Sequence, residues 1–232
     1  MSDSSHTSSP ETVAQNEVTI EDVMNRLDEM YGPRVWESRG EPVDVLVETV
    51  LSQNTSDVNS ARAFRSLVDR FGSLEAVATA PVEEIEQAIS RAGLSRIKSA
   101  RIRKMLARLL AENGSLDLYF LREMELSAAR DYLVGIDGVG LKTASCVLVF
   151  SLGMPAMPVD THVHRVSRRL GLIDTRTSAD AAHLVLESLV PEYRRYEFHV
   201  NLIEHGRRVC HARRPHCEGC DLSELCPSAF AA

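Results

Sequence analysis

The stretch LVGIDGVGLKTASCVLVFSLGMPAMPVDTH, residues 133–162, decides how the rest of the chain is read. It sets a Gly-Val-Gly turn between two apolar segments, with Lys142 two residues after the second glycine and Asp160 eighteen residues further on. Gly138 and Gly140 have no Cβ, so the turn can take positive φ and its backbone can approach a ligand closely. The second apolar segment reads as a helix from about Leu141 to Leu152. The first N–H groups of a helix have no internal partner and point outward, which suits a phosphate. Gly138, Val139 and Gly140 are therefore candidate contacts to a phosphate, and Lys142 sits in the first helical turn behind them. Only three of the 26 basic side chains are lysine. Arginine binds a phosphate at least as well but cannot give up its proton, so a lysine here points to a nucleophilic amine.

Working outward, the apolar spacing predicts helices throughout and no alternating strand, an all-α chain. Thr19 reads as the N-cap of a helix ending at Gly32-Pro33. Further helices are expected at Val43–Leu51, 57–71, from Leu74, Pro81–Ala92 with Pro81 at the first helical position, and Arg96–Asn113. Ser127 is the expected cap of the helix before the Gly-Val-Gly turn. Asp160 is placed to cap Thr161–Leu170, and helices at Ser178–Val190 and Tyr193–Val209 complete the set. Cys146 falls among apolar neighbours and reads as a packed core thiol. His162 and His164 have no metal partner at useful spacing. Residues 1–17 are rich in Ser and Thr and read as a disordered tail.

Four of the five cysteines, Cys210, Cys217, Cys220 and Cys226, fall within seventeen residues. The absence of a secretory leader or an apolar membrane span predicts an intracellular protein with no membrane partner. There, crowded cysteines indicate metal rather than disulfides. Four thiolates suit zinc or an iron-sulfur cluster, and ligand count alone does not separate the two.

The net charge of -7 is unevenly spread. Residues 1–48 carry eleven Asp and Glu against three Arg, so the remainder is about +1. One basic run holds Arg91, Arg96, Lys98, Arg101, Arg103, Lys104 and Arg108 with no acid between them. A second group comprises Arg194, Arg195, Arg207, Arg208, Arg213 and Arg214. Both are candidate phosphate-binding patches or solvated helix faces. The loop between the first two clustered cysteines could present Arg213 and Arg214 to a phosphate backbone.

The segment I-D-G-V-G-L-K-T-A followed by V-D-T-H resembles the signature of the endonuclease III superfamily of helix-hairpin-helix DNA glycosylases. The family pattern is close to L-P-G-V-G-x-K-T-A, so Asp137 stands where proline is usual. The spacing C-x6-C-x2-C-x5-C after His205-Gly206-Arg207 resembles the family's 4Fe-4S loop. The resemblance implies a six-helix barrel over 44–153 and an iron-sulfur cluster domain joining 18–43 to 154–232, with a cleft between them. It further implies a monomeric base-excision repair glycosylase and apurinic/apyrimidinic lyase, acting on oxidised pyrimidines or abasic sites in double-stranded DNA. Lys142 would be the nucleophile, Asp160 its assistant, and Gln53 the residue filling the gap left by a flipped base, with Asn54 as the other candidate. A uracil- or thymine-mismatch glycosylase of the same superfamily, or a weakly active or non-catalytic DNA-binding or redox-sensing relative, is the alternative.

Overall fold

The computed structural model describes residues 19–230; the N-terminal tail expected over 1–17 lies outside them. Among the described residues every regular element is helical, and no helix is long and apolar enough to cross a membrane. The helices are α1 (Ile20–Tyr31), α2 (Pro42–Ser52), α3 (Asp57–Phe71), α4 (Leu74–Thr79), α5 (Val82–Ala88), α6 (Ser95–Asn113), α7 (Leu126–Val134), α8 (Leu141–Phe150), α9 (Thr161–Arg169), α10 (Ala179–Leu189) and α11 (Arg195–Arg208).

Their ends follow local chemistry. Thr19 and Asp22 form a reciprocal capping box on α1. Ser56, Ser73 and Ser178 cap α3, α4 and α10. Three expectations are corrected. Pro81 is the N-cap of α5 rather than its first helical residue, and the last turn of that segment tightens into a 3-10 turn at Ser90–Ala92. Ser127 lies inside α7, which begins one residue earlier behind Glu125 with no side-chain cap. Gly140 has φ -90, so only Gly138, at φ +84, needs the left-handed region.

Two separate apolar cores form. One is built by residues between Val43 and Ala156, around α2, which is buried along most of its length and packs on α3 and α8. The other unites Val23, Met24 and Leu27 of α1 with Met157 and residues beyond, where α9 packs on α11. The chain passes between them at 153–160. Gly153 has φ +66, and a Cβ there would stand 3.2 Å from the Trp36 ring, so a side chain would be strained and would crowd the indole.

Buried polar groups tie the two cores together. Arg130 of α7 and Glu187 of α10 form an ion pair at 2.6 Å, and Glu187 also accepts from the Met157 N–H at 2.9 Å. Arg195 donates to the carbonyls of Pro155, Glu187 and Val190. Arg195 is thus a structural staple. Arg194 is likewise spent, on Asp28 and Glu197. Neither belongs to a phosphate-binding patch, which corrects the expectation from the sequence. Pairing consumes these arginines because both side chains are largely buried, where an unpaired guanidinium would be costly.

Candidate active site and nucleic-acid interface

The hairpin of α7 and α8 presents the N-terminus of α8. Its N-cap is Gly140, so no side chain occupies the first N–H groups. A Cβ at 140 would meet no atom within 4 Å, and the φ there does not demand glycine. What the glycine leaves open is approach from outside. Val139 is different, because its side chain is buried and its N–H donates to the Ile136 carbonyl at 3.0 Å. The expected Val139 contact to a phosphate therefore cannot use that N–H. At Gly138 a Cβ would fall 2.3 Å from Cδ of Arg101, whose side chain lies against the turn.

Asp137 does not point into the hairpin unopposed. Its carboxylate accepts from Lys104 Nζ at 2.6 Å, and that hydrogen bond holds it below the usual carboxylate range. A phosphate approaching this turn competes with Asp137 for Lys104. Asp137→Asn is therefore expected to tighten binding to duplex DNA by about two- to fivefold at low salt, with the gain fading at high salt. Fluorescence anisotropy across a salt series measures this, and unchanged affinity at low salt would contradict it.

Lys142, the second residue of α8, lines a cavity of about 630 Å³ together with Cys146 and Phe150 of the same helix, Asp160, His199 of α11, Arg39 and Glu48. Asp160 caps α9, and both cap bonds, from His162 N–H at 2.9 Å and Val163 N–H at 2.8 Å, fall on Oδ1. The second carboxylate oxygen takes no part in the cap. A lysine at one helix N-terminus and a carboxylate fixed at another thus share one cavity. Cys146 is buried as expected, and burial pushes its thiol up, opposed by neighbouring Lys142. It forms cavity wall as well as core.

His199 and Arg39 were not singled out in the sequence. His199 bonds the Pro158 carbonyl through Nδ1 at 2.8 Å, and burial lowers its pKa to about 4, so it is neutral at physiological pH with the Nδ1 proton donated. Arg39 lies 3.7 Å over the Phe150 ring. Both come from segments distant in sequence, so no local pattern flags them.

Gln53, Asn54, Lys142 and Asp160 all line an adjoining cavity of about 560 Å³, with Thr143, His162, His164 and Arg207. Gln53 is not a cap of α3, since Ser56 holds that position. Its Oε1 accepts from Arg101 Nη1 at 2.9 Å. Asn54 is exposed, with φ +54 at the loop apex. Next to this loop stands Leu94, also missed in the sequence: it is 55% exposed at φ +49, an unusual state for an apolar residue. His162 and His164 serve local structure, through Arg165 and the Thr177 carbonyl.

Of the basic groups, Arg207, Arg208, Arg213 and Arg214 are exposed, Arg207 pairing with Asp57 of α3 at 2.8 Å. Lys98 leaves the first basic run entirely, for it is buried inside the molecule. Cys210, Cys217, Cys220 and Cys226 line one cavity against α9 and α11. Arg169 Nη1 donates to Cys210 Sγ at 3.2 Å. Among the described residues no three His, Cys, Asp or Glu side chains converge on a point that would hold a single metal ion. The four thiols line one small void, a donor set whose chemistry suits a thiolate-bound metal centre.

Fold and cavity together define a helix-hairpin-helix protein in which a lysine and a carboxylate line one cavity. Residues 47–192 match the HhH-GPD superfamily of base excision DNA repair proteins. Endonuclease III of Thermotoga maritima is 34% identical over 186 residues, 80% of this chain and 83% of that protein. A solved non-covalent Endonuclease III–DNA complex superposes with a TM-score of 0.78 at 31% identity, covering 90% of this chain and 94% of that one. A trapped Endonuclease III–DNA covalent intermediate, an estranged-adenine complex, gives 0.76 at 30% identity, over 90% and 95%. The chain belongs to the HhH-GPD superfamily of base excision DNA repair proteins.

Proposed function

We propose that this protein is a bifunctional DNA glycosylase and apurinic/apyrimidinic lyase that removes oxidised pyrimidines from duplex DNA and then cuts the strand. The observation that carries the reading is the placement of Lys142 and Asp160 at two helix N-termini around one cavity, with Gln53 and Asn54 on its adjoining wall. The N–H groups opening α8 hold a phosphate, a contact that positions without reading sequence. The damaged nucleotide swings out of the stack into the 630 Å³ cavity. Gln53 or Asn54 faces the space it leaves.

Lys142 Nζ, as the free amine, forms a bond to the sugar C1′ while the glycosidic bond breaks; the base departs with that electron pair and takes up a proton. The carboxylate of Asp160 stabilises the positive charge that develops on the sugar and accepts the proton released by the amine. Opening of the sugar ring gives an imine. Loss of a C2′ proton then expels the 3′ phosphate and cuts the strand by β-elimination. Cys210, Cys217, Cys220 and Cys226 would hold a 4Fe-4S cluster that clips the C-terminal segment onto α9 and α11, supplying folding energy rather than chemistry. The protein acts as a monomer inside the cell.

The test is incubation with duplex DNA carrying thymine glycol, with the strand products resolved on a denaturing gel. Cleavage to an unsaturated aldehyde end is expected from the wild type and not from Lys142→Ala. Equal cleavage by both would overturn the mechanism. Iron and acid-labile sulfide in equal amounts are expected in the purified protein, and loss of both on chelation under oxidising conditions should lower its melting temperature. Stoichiometric zinc would overturn the cofactor assignment.

A further inference from the structure

Lys98, in the first half of α6, is among the largest fully buried side chains of the described residues, at 2% exposed. An ammonium has three protons and no means of accepting. All three find oxygens here: the Leu51 carbonyl at 2.7 Å, Thr55 Oγ1 at 2.8 Å and the Ala92 carbonyl at 2.7 Å. Burial alone lowers its affinity for a proton, with Arg101 adding to the effect, and the three acceptors offset that cost by bonding only the charged form.

Those acceptors belong to two different loops. Leu51 and Thr55 bracket Gln53 and Asn54, whereas Ala92 precedes Gly93 and Leu94. Thr55 adds a direct bridge, accepting from Lys98 and donating to the Ala92 carbonyl. The loops abut so closely that a Cβ on Gly93 would stand 3.7 Å from Thr55 Oγ1 and 3.9 Å from the Asn54 carbonyl. One helical turn along α6, Arg101 holds Gln53 and packs against Gly138 of the hairpin. Each loop also carries a non-glycine residue at positive φ, Asn54 and Leu94. Strained backbone of this kind persists only where the surroundings over-determine it.

We propose that Lys98 is a positioning residue, a single buried ammonium that locks the Gln53–Asn54 loop against the Gly93–Leu94 loop so that both meet the duplex as one rigid body. This rests on the reading of the Gln53–Asn54 loop as the part that faces the gap beneath a flipped base. A rigid pair of loops can hold the stack open without ordering itself at the moment of flipping. Lys98 touches neither DNA nor the reacting sugar.

The experiment compares wild type with Lys98→Met and Thr55→Val. Lys98→Met takes the donor from the Leu51 carbonyl, leaves the Ala92 carbonyl to Thr55 alone and costs stability; Thr55→Val removes only the bridge and one acceptor, and melting curves confirm that each variant is folded at the assay temperature. Two substrates are used: thymine glycol paired in a duplex, and an abasic site in a single-stranded oligonucleotide, where no partner base faces the site. Base removal from the duplex is expected to fall about tenfold in Thr55→Val and about a hundredfold in Lys98→Met, with single-strand cleavage changed less than about twofold. Equal losses on both substrates would overturn the proposal, because a residue that merely supports the fold moves both together.

A second readout needs binding alone. 2-Aminopurine is placed opposite a tetrahydrofuran abasic analogue, and its emission is measured at saturating protein. Wild type should raise the emission, Thr55→Val should raise it less, and Lys98→Met should not raise it; the same rise in wild type and Lys98→Met would overturn the role of Lys98. A wild-type protein inert on both catalytic substrates would overturn the enzymatic reading, and the emission measurement would still decide the positioning role.

Discussion

Asp160→Asn is expected to lower base removal by about 10²–10⁴-fold while leaving α9 intact. The reason lies in the two jobs of one side chain. Oδ1 accepts from the N–H groups of His162 and Val163, and an asparagine carbonyl can accept the same two bonds. What asparagine cannot supply is the negative charge beside the sugar or a place for the proton from Lys142. Asp160→Ala loses the cap as well, adding about 0.5–2 kcal/mol of destabilisation. Single-turnover rates on a thymine glycol duplex, read beside melting temperatures, separate these roles. If Asp160→Asn retained wild-type base removal, the carboxylate would be only a cap.

Arg130→Met is expected to destabilise the protein by about 3–5 kcal/mol, the cost of stranding a buried carboxylate. Arg130 and Glu187 are both at most one-tenth exposed, and Nη2 contacts both carboxylate oxygens at 2.6 Å. Glu187 also receives the Met157 N–H, at the point where the chain crosses from one apolar core to the other. The pair therefore ties the two apolar cores together at this crossing. Removing both charges in Arg130→Met/Glu187→Leu should recover much of the loss, since a well-packed apolar pair often matches a buried ion pair. Urea unfolding midpoints measure this, and additive losses in the double variant would contradict it.

The parts of the site legible in the sequence are those whose chemistry is local. Gly138 before Lys142, Asp160 before a helix and four closely spaced cysteines each carry their reason within a few residues. The helices were legible in the same way, because Gly72, Gly93 and Gly114 stop them where the chain says they should stop. Groups whose partners are distant in sequence were not. Lys98 reads as one more cation in a basic run until the fold supplies Leu51 and Ala92 as acceptors. Arg194 and Arg195 resemble a DNA-binding pair until Asp28 and the Pro155 carbonyl appear beside them. His199 and Arg39 enter the cavity by the same route. The Val139 N–H turns inward through a bond within the hairpin itself, which composition does not reveal.

The central claim is that Lys142 attacks the sugar and forms an imine. Borohydride reduces such an imine to a stable amine, leaving protein and DNA covalently joined. The measurement is a denaturing gel of wild type and Lys142→Ala, each incubated with borohydride and duplex DNA carrying one abasic site. A slow-migrating adduct from the wild type and none from Lys142→Ala is the predicted result; an adduct of equal yield from both, or none from a wild-type protein that binds the same duplex, would contradict it.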